Sequence, residues 1–150
     1  MAPTSPLGPV QRALYGVLVH EAALVAKLAP SPTGGPGISD QPQPNARYPR
    51  LELGGFFAVA APCYGPRSAA KWGWIVTGQV KALSTYPGEA QGQDLLADVV
   101  ALLHFGSPAL TVAGYADVEC AVTLEPSYPE TVNNVIVRHF PATVRVELHE

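Results

Sequence analysis

The residues with most capacity for chemistry are His20, His104, His139 and His149, the carboxylates Asp94 and Asp98, and the cysteines Cys63 and Cys120. A metal centre needs several His, Cys or carboxylate donors that converge, signalled by spacings such as HxxxH or HExxH. None of the histidines has such a neighbour. His20 and Glu21 are adjacent, but adjacent residues on a helix do not face one another. Asp94 and Asp98 have the i, i+4 spacing that puts two carboxylates on one helix face, where they could share acid–base work. They stand opposite the apolar residues of their segment, so a solvated face is the expectation. Ser84, Ser107 and Ser127 lack the GxSxG setting of a nucleophile elbow. Gly34-Gly35-Pro36-Gly37 follows a helical segment and precedes no lysine, which marks a loop and not a phosphate cradle. Cys63 and Cys120 form no CxxC pair; a disulfide between them stays open, but two reduced, buried thiols are expected. No catalytic, cofactor-binding or metal-ligating residue is therefore expected, and the chain reads as a non-enzyme.

The elements that position these residues follow from periodicity. Val10, Leu14, Val17, Leu18, Leu24, Val25 and Leu28 form one stripe and predict a helix over 10–28, with Pro9 in its first turn and Pro30 as its stop. Residues 31–48 hold too many prolines and glycines for a regular element, which predicts a loop that is mobile or ordered by a partner. Leu51 and Leu53 alternate with charges in a short strand over 50–53, which 56–61 either extends or follows as an apolar loop. A loop is expected at 62–70. The stretch 72–86 reads as a long strand with Trp72, Trp74, Val76 and Val80 on one face. After Pro87-Gly88 comes a helix over 89–104 with Leu96, Val99, Val100 and Leu103 in its stripe. Strands are expected at 110–115 and 118–124, a polar loop at 126–134, and a last strand over 135–148 broken at Pro141 by a bulge or an edge. That order implies an α+β fold: a mostly antiparallel sheet with two helices packed on one face, in a single domain spanning 1–150.

Composition narrows the function classes. With 47% hydrophobic and 14% charged residues, the chain can bury a core and is not globally disordered. Nine Lys or Arg against twelve Asp or Glu give a formal charge of −3, with no basic cluster. Gripping DNA through its phosphates requires clustered cations, so tight nucleic-acid binding is disfavoured. Residues 1–9 lack the cationic segment of a signal peptide, and no apolar run approaches the roughly 18 residues of a membrane span. Assembly in a cytoplasm is expected, and a membrane partner is not.

The stretch 77–115, TGQVKALSTYPGEAQGQDLLADVVALLHFGSPALTVAGY, resembles the core of the tail terminator (tail-completion) proteins of long-tailed bacteriophages. The shared parts are a long strand (Val80 to Ser84), a glycine turn (Pro87-Gly88), a helix (Ala90 to Leu103), and a Leu-Thr segment with a glycine (Leu110-Thr111, Gly114). The amino-terminal helix, the Tyr48-Pro49-Arg50-Leu51 entry to a strand and the closing HFPATVRVELHE fit as well, so the resemblance covers nearly the whole chain. Two segments depart from the pattern: 56–72 is longer and more apolar, and 126–134 is extended.

The resemblance implies a structural virion protein that caps the tail tube as a homo-oligomeric ring, usually a hexamer, and joins it to the head connector. Its partners would be copies of itself, the tail tube protein and a head-proximal connector or stopper. DNA would pass through the lumen without specific binding, and Asp94, Asp98, Glu119 and Glu125 are lumen candidates. The location implied is the head-proximal end of the tail, after assembly in the host cytoplasm, with a mobile Pro/Gly-rich loop at about 29–48. Alternatives are another head–tail connector protein, such as a stopper or adaptor, and a small cytosolic enzyme or ligand-binding domain.

Overall fold

The computed structural model describes residues 5–41, 43, 45–62, 72–106 and 109–149. It is an α+β fold in which three helices cover one face of a six-stranded, mostly antiparallel sheet. The helices are α1 (Leu7–Val19), α2 (Ala22–Lys27) and α3 (Ala90–Leu103). The strands are β1 (Ile38–Ser39), β2 (Arg50–Pro62), β3 (Trp72–Ser84), β4 (Asp117–Leu124), β5 (Tyr128–Val132) and β6 (Val135–His149). The order across the sheet is β1-β2-β3-β6-β4, and β5 pairs with β6 beyond the end of β4.

The helix expected over 10–28 is two helices. His20 caps α1, with its Nδ1 2.6 Å and its backbone N–H 3.2 Å from the Gly16 carbonyl. Glu21 is then extended (φ −84°, ψ 98°), and the chain re-enters a helix at Ala22. The apolar stripe survives this break: Val10, Leu14, Leu18, Leu24 and Leu28 are all buried in one cluster. Pro9 lies inside the first turn, where its missing N–H has no intrahelical partner to lose.

In the loop 31–48, Ile38 and Ser39 form a short parallel pairing with Leu51 and Glu52, an element the density of proline and glycine argued against. Its base is tight. Ala29 N donates to Pro49 O at 2.8 Å and Leu51 N to Gly37 O at 2.9 Å. A side chain at Gly37 would overlap the Ala29 carbonyl, so only glycine lets the two backbones meet. β2 runs on through 56–61 as one strand, with a bulge between Gly54 and Phe57 in which Gly55 and Phe56 stand against the single residue Gly78. Most of the expected loop 62–70 lies outside the described residues.

Two strand expectations fail at the carboxy-terminal half. Residues 110–115 form no strand; Leu110 and Val112 are buried as single anchors in an irregular connection. The segment 126–134 is not a loop, because Tyr128–Val132 pairs with β6 through a two-residue turn at Asn133-Asn134. Both asparagines have positive φ (50° and 64°), the conformation a tight hairpin needs and asparagine tolerates.

Pro141 breaks nothing: β6 pairs with β3 continuously from Arg138 to His149. Its carbonyl accepts from Glu125 N at 3.0 Å, so its nitrogen points to the same side, into the gap between β4 and β5. No N–H is missing from the β3 ladder. That is how a proline occupies the middle of a central strand.

The core lies between the sheet and the helices. Val76, Val80 and Ala82 of β3 and Ala142, Val144, Val146 and Leu148 of β6 meet Leu14 and Leu18 of α1 and Leu95, Leu96, Val99 and Leu103 of α3.

Candidate functional site

Among the described residues no helix covers the other face of the sheet, whose side chains follow from alternation along the strands. Its rows follow from register: Thr77 is opposite Arg145, which is opposite Ala121; Gln79 is opposite Thr143, which is opposite Thr123. A third row runs Ile75, Glu147, Glu119. This face is polar, mixed in charge, and internally paired. Arg145 forms an ion pair with Glu147, and Thr143 Oγ1 donates to Glu125 Oε1 at 3.1 Å. At the β2 margin it turns apolar, with Phe57 opposite Thr77 and Val59 opposite Ile75.

The residues singled out for chemistry do not converge. His20 faces its own helix backbone. His104, at the end of α3, accepts from Val122 N at 3.0 Å through Nδ1. His139 is buried, 2.6 Å from Glu130 Oε2 through Nε2 and stacked on Tyr128 at 4.7 Å between ring centroids. His149 pairs with Gly73 and Asp117 at the far end of β6. Among the described residues no three His, Cys, Asp or Glu side chains gather as a metal site, and no helix is long and apolar enough to cross a membrane.

Asp94 and Asp98 do share a face, and Lys27 of α2 bridges them at 3.0 and 2.7 Å. The hydrogen bond that the Lys27 ammonium donates to Asp98, then that to Asp94, raises its pKa above the ordinary value. The sequence alone gave no signal for this partner, since α2 was read as the end of α1. The four acidic lumen candidates therefore divide. Glu119 and Glu125 belong with the helix-free face, whereas Asp94 and Asp98 lie in the helical layer on the opposite side.

Ser84 is fully buried and donates to Gln91 Oε1 at 2.5 Å while accepting from Tyr86 N, so it fixes the turn into α3. Ser127 donates to Glu89 at 2.8 Å; Ser107 lies outside the described residues. Gly34 and Gly35 belong to a turn closed on Ser31, whose Oγ accepts from Gly35 N at 3.1 Å. Cys120 is a free thiol, buried in the core, and burial pushes its pKa up to about 12. Cys63 lies outside the described residues.

Two adjoining hollows flank β1. One of about 430 Å³ is lined by Arg12, Tyr15, Ile38, Asp40 and Gln43 among others. The other, about 310 Å³, lies between Asp40, Glu52, Gln79 and Lys81. Glu52 is paired with Arg50, and Lys81 Nζ donates to Tyr128 Oη at 3.3 Å.

No protein-family model matches this chain, and no curated protein matches it. Among solved structures, a chain from "Virion of native gene transfer agent (GTA) particle" superposes with a TM-score of 0.70 at 17% sequence identity. The superposition spans 99% of this chain and 100% of that one, so the two have the same fold from end to end.

Proposed function

We propose that this chain is a structural virion protein that caps a phage-type tail tube as a closed ring, with six copies as the working stoichiometry, and joins the tube to the head connector. The observation that carries this reading is the end-to-end fold likeness to a chain of a gene transfer agent virion. It stands beside the resemblance of 77–115 to tail terminators. Such a protein needs surfaces and no active site, in keeping with histidines, serines and carboxylates that are engaged in local structure.

In this reading the helix-free sheet face lines the lumen. Its rows of Thr, Gln and mutually paired Arg145 and Glu147 offer DNA no cluster of cations. Each phosphate contact would add salt-dependent affinity and slow transit, so a mixed, self-paired lining suits passage. Glu119 and Glu125 are then lumen residues, and Asp94 and Asp98 face outward with Lys27.

Reconstruction of tails capped by this protein tests the reading. The expected result is a ring of this subunit at the head-proximal end of the tube, with no duplex-DNA gel shift at submicromolar protein and low salt. A ring found on the head side of the joint, away from the tube, would assign the chain to the stopper or adaptor role. A tail with no ring of this subunit, or tight duplex binding, would overturn the proposal.

A further inference from the structure

Two uncharged apolar strips lie uncovered on opposite lateral edges of the sheet. The first is the outer half of β2, where Phe57 is 55% and Val59 53% exposed. Residues 53–66 contain no charge at all. β1 covers only Leu51 and Glu52, so beyond them β2 is an edge with no strand partner among the described residues. The second strip is the tip of the β5–β6 hairpin, with Val132, Val135 and Ile136 exposed at 38, 48 and 58% inside the uncharged run 131–137.

Folded proteins protect sheet edges with charge, proline or a covering segment, because an open edge recruits another strand. The remainder of this sheet has those protections. On β4, the Cys120 carbonyl accepts from Phe105 N at 2.9 Å and Val122 N donates to His104 Nδ1, so the end of α3 seals that edge. The base of β5 carries Pro129 and the Glu130–His139 pair. Among the described residues, β2 from Phe57 to Ala61 and the hairpin tip have no charge, no proline and no covering strand.

We propose that each strip is the other's partner: the β5–β6 hairpin tip of one copy packs on the outer β2 edge of the next copy of the same chain. The inference rests on the ring reading above and names the contact that would close it. Because the strips lie on opposite sides of one sheet, the contact is heterologous, and its repetition generates a ring where the rotation closes. The uncharged tip, with the register pairs Thr131–Ile136 and Val132–Val135, is short enough to lie along the outer β2–β3 ribbon, which has six pairs from Phe57 to Pro62. They match in chemistry too. Neither presents a charge that would attract nucleic acid or a charged peptide, or that would repel its own copy, so apolar burial drives the contact.

Paired cysteines test it. In a Cys63→Ser background, Val59→Cys and Val135→Cys are made in separate preparations, mixed on assembled rings or capped tubes, and oxidised. A disulfide between positions 59 and 135 that forms in the mixture, well above the like-with-like product of either preparation alone, is the expected result. Independently, Val59→Asp and Ile136→Asp should each lower the mass seen by light scattering to that of the monomer, with an unchanged circular dichroism spectrum. A ring that forms yet gives no 59–135 disulfide and tolerates both aspartates overturns this contact while leaving the ring reading standing. A chain that stays monomeric alone and is absent as a ring from capped tubes overturns both.

Discussion

Gly92 on α3 lies flat against the ring of Phe140 on β6: a methyl group at position 92 would overlap the aromatic carbons. The helix therefore sits on the central strand at a distance set by the absence of one side chain. Gly92→Ala would gain up to about 1 kcal/mol of helix propensity. Overpacking against a buried ring costs about 1–3 kcal/mol, and neither α3 nor β6 can retreat without opening the core. The substitution should lower the chemical-denaturation midpoint, whereas the exposed Ala97 on the same helix should accept serine with little change.

Leu96 carries the opposite case, a full side chain in the same interface. It is 4% exposed and belongs to the cluster with Val76 and Val80. Leu96→Ala removes the contacts and leaves a cavity, for an expected loss of about 2–5 kcal/mol. A melting curve unchanged from that of the parent chain would refute the packing of α3 on β3.

Why were these contacts legible only in part? The stripes of α1 and α3 and the alternation in β3 and β6 show in sequence because one face of each element is buried. The break at His20-Glu21 is invisible to periodicity, since Leu24 and Leu28 continue the stripe after the chain has turned. Residues 110–115 read as a strand because Leu110 and Val112 alternate, although they anchor an irregular connection. The hairpin strand Tyr128–Val132 was missed because every residue in it is exposed, so no burial pattern marks it. Its real signal is local: Asn133-Asn134 between Val132 and Val135 fits a two-residue turn. The acidic candidates split between layers for a related reason, since sequence shows which residues are charged but not which face of the sheet they reach.

Cys120 should make stability fall with alkaline pH. Its ordinary pKa is 9.0 and burial raises it to about 12 in the fold. Between those values the unfolded thiol has lost its proton while the folded one keeps it. The folded state binds more protons there, so stability is full below about pH 9 and declines toward pH 12. Lys27, raised by Asp98 and Asp94, adds a decline of the same sign above its ordinary pKa of 10.5. The difference between the parent chain and Cys120→Ala in urea titrations at pH 8 and pH 10.5 isolates the thiol. A slope that survives the substitution undiminished would place its origin elsewhere.

The loop at 29–48 should respond to assembly. Its two ends are tied by Ala29–Pro49 and Leu51–Gly37 backbone hydrogen bonds. Exposed Gln41, Asn45 and Arg47 lie between these ties. Trypsin should cut after Arg47 in the free subunit and spare it in capped tails. Equal resistance in both states would mean that the loop needs no partner to hold it.

The gap at Pro141 divides the kinetics of the sheet. Past it, residues 142–149 of β6 have a strand on either hand, while 135–137 have β5 alone. A two-stranded ribbon is marginal by itself, and Pro141 has no N–H to offer toward β4, so its own coupling there is the one bond its carbonyl accepts from Glu125 N. Amide protons of Val135, Ile136 and Val137 should thus exchange with solvent deuterium by a local opening, well ahead of those of Val144 and Val146, which wait for the global one. Such an arm can open while the sheet and the helices packed on it behind stay closed.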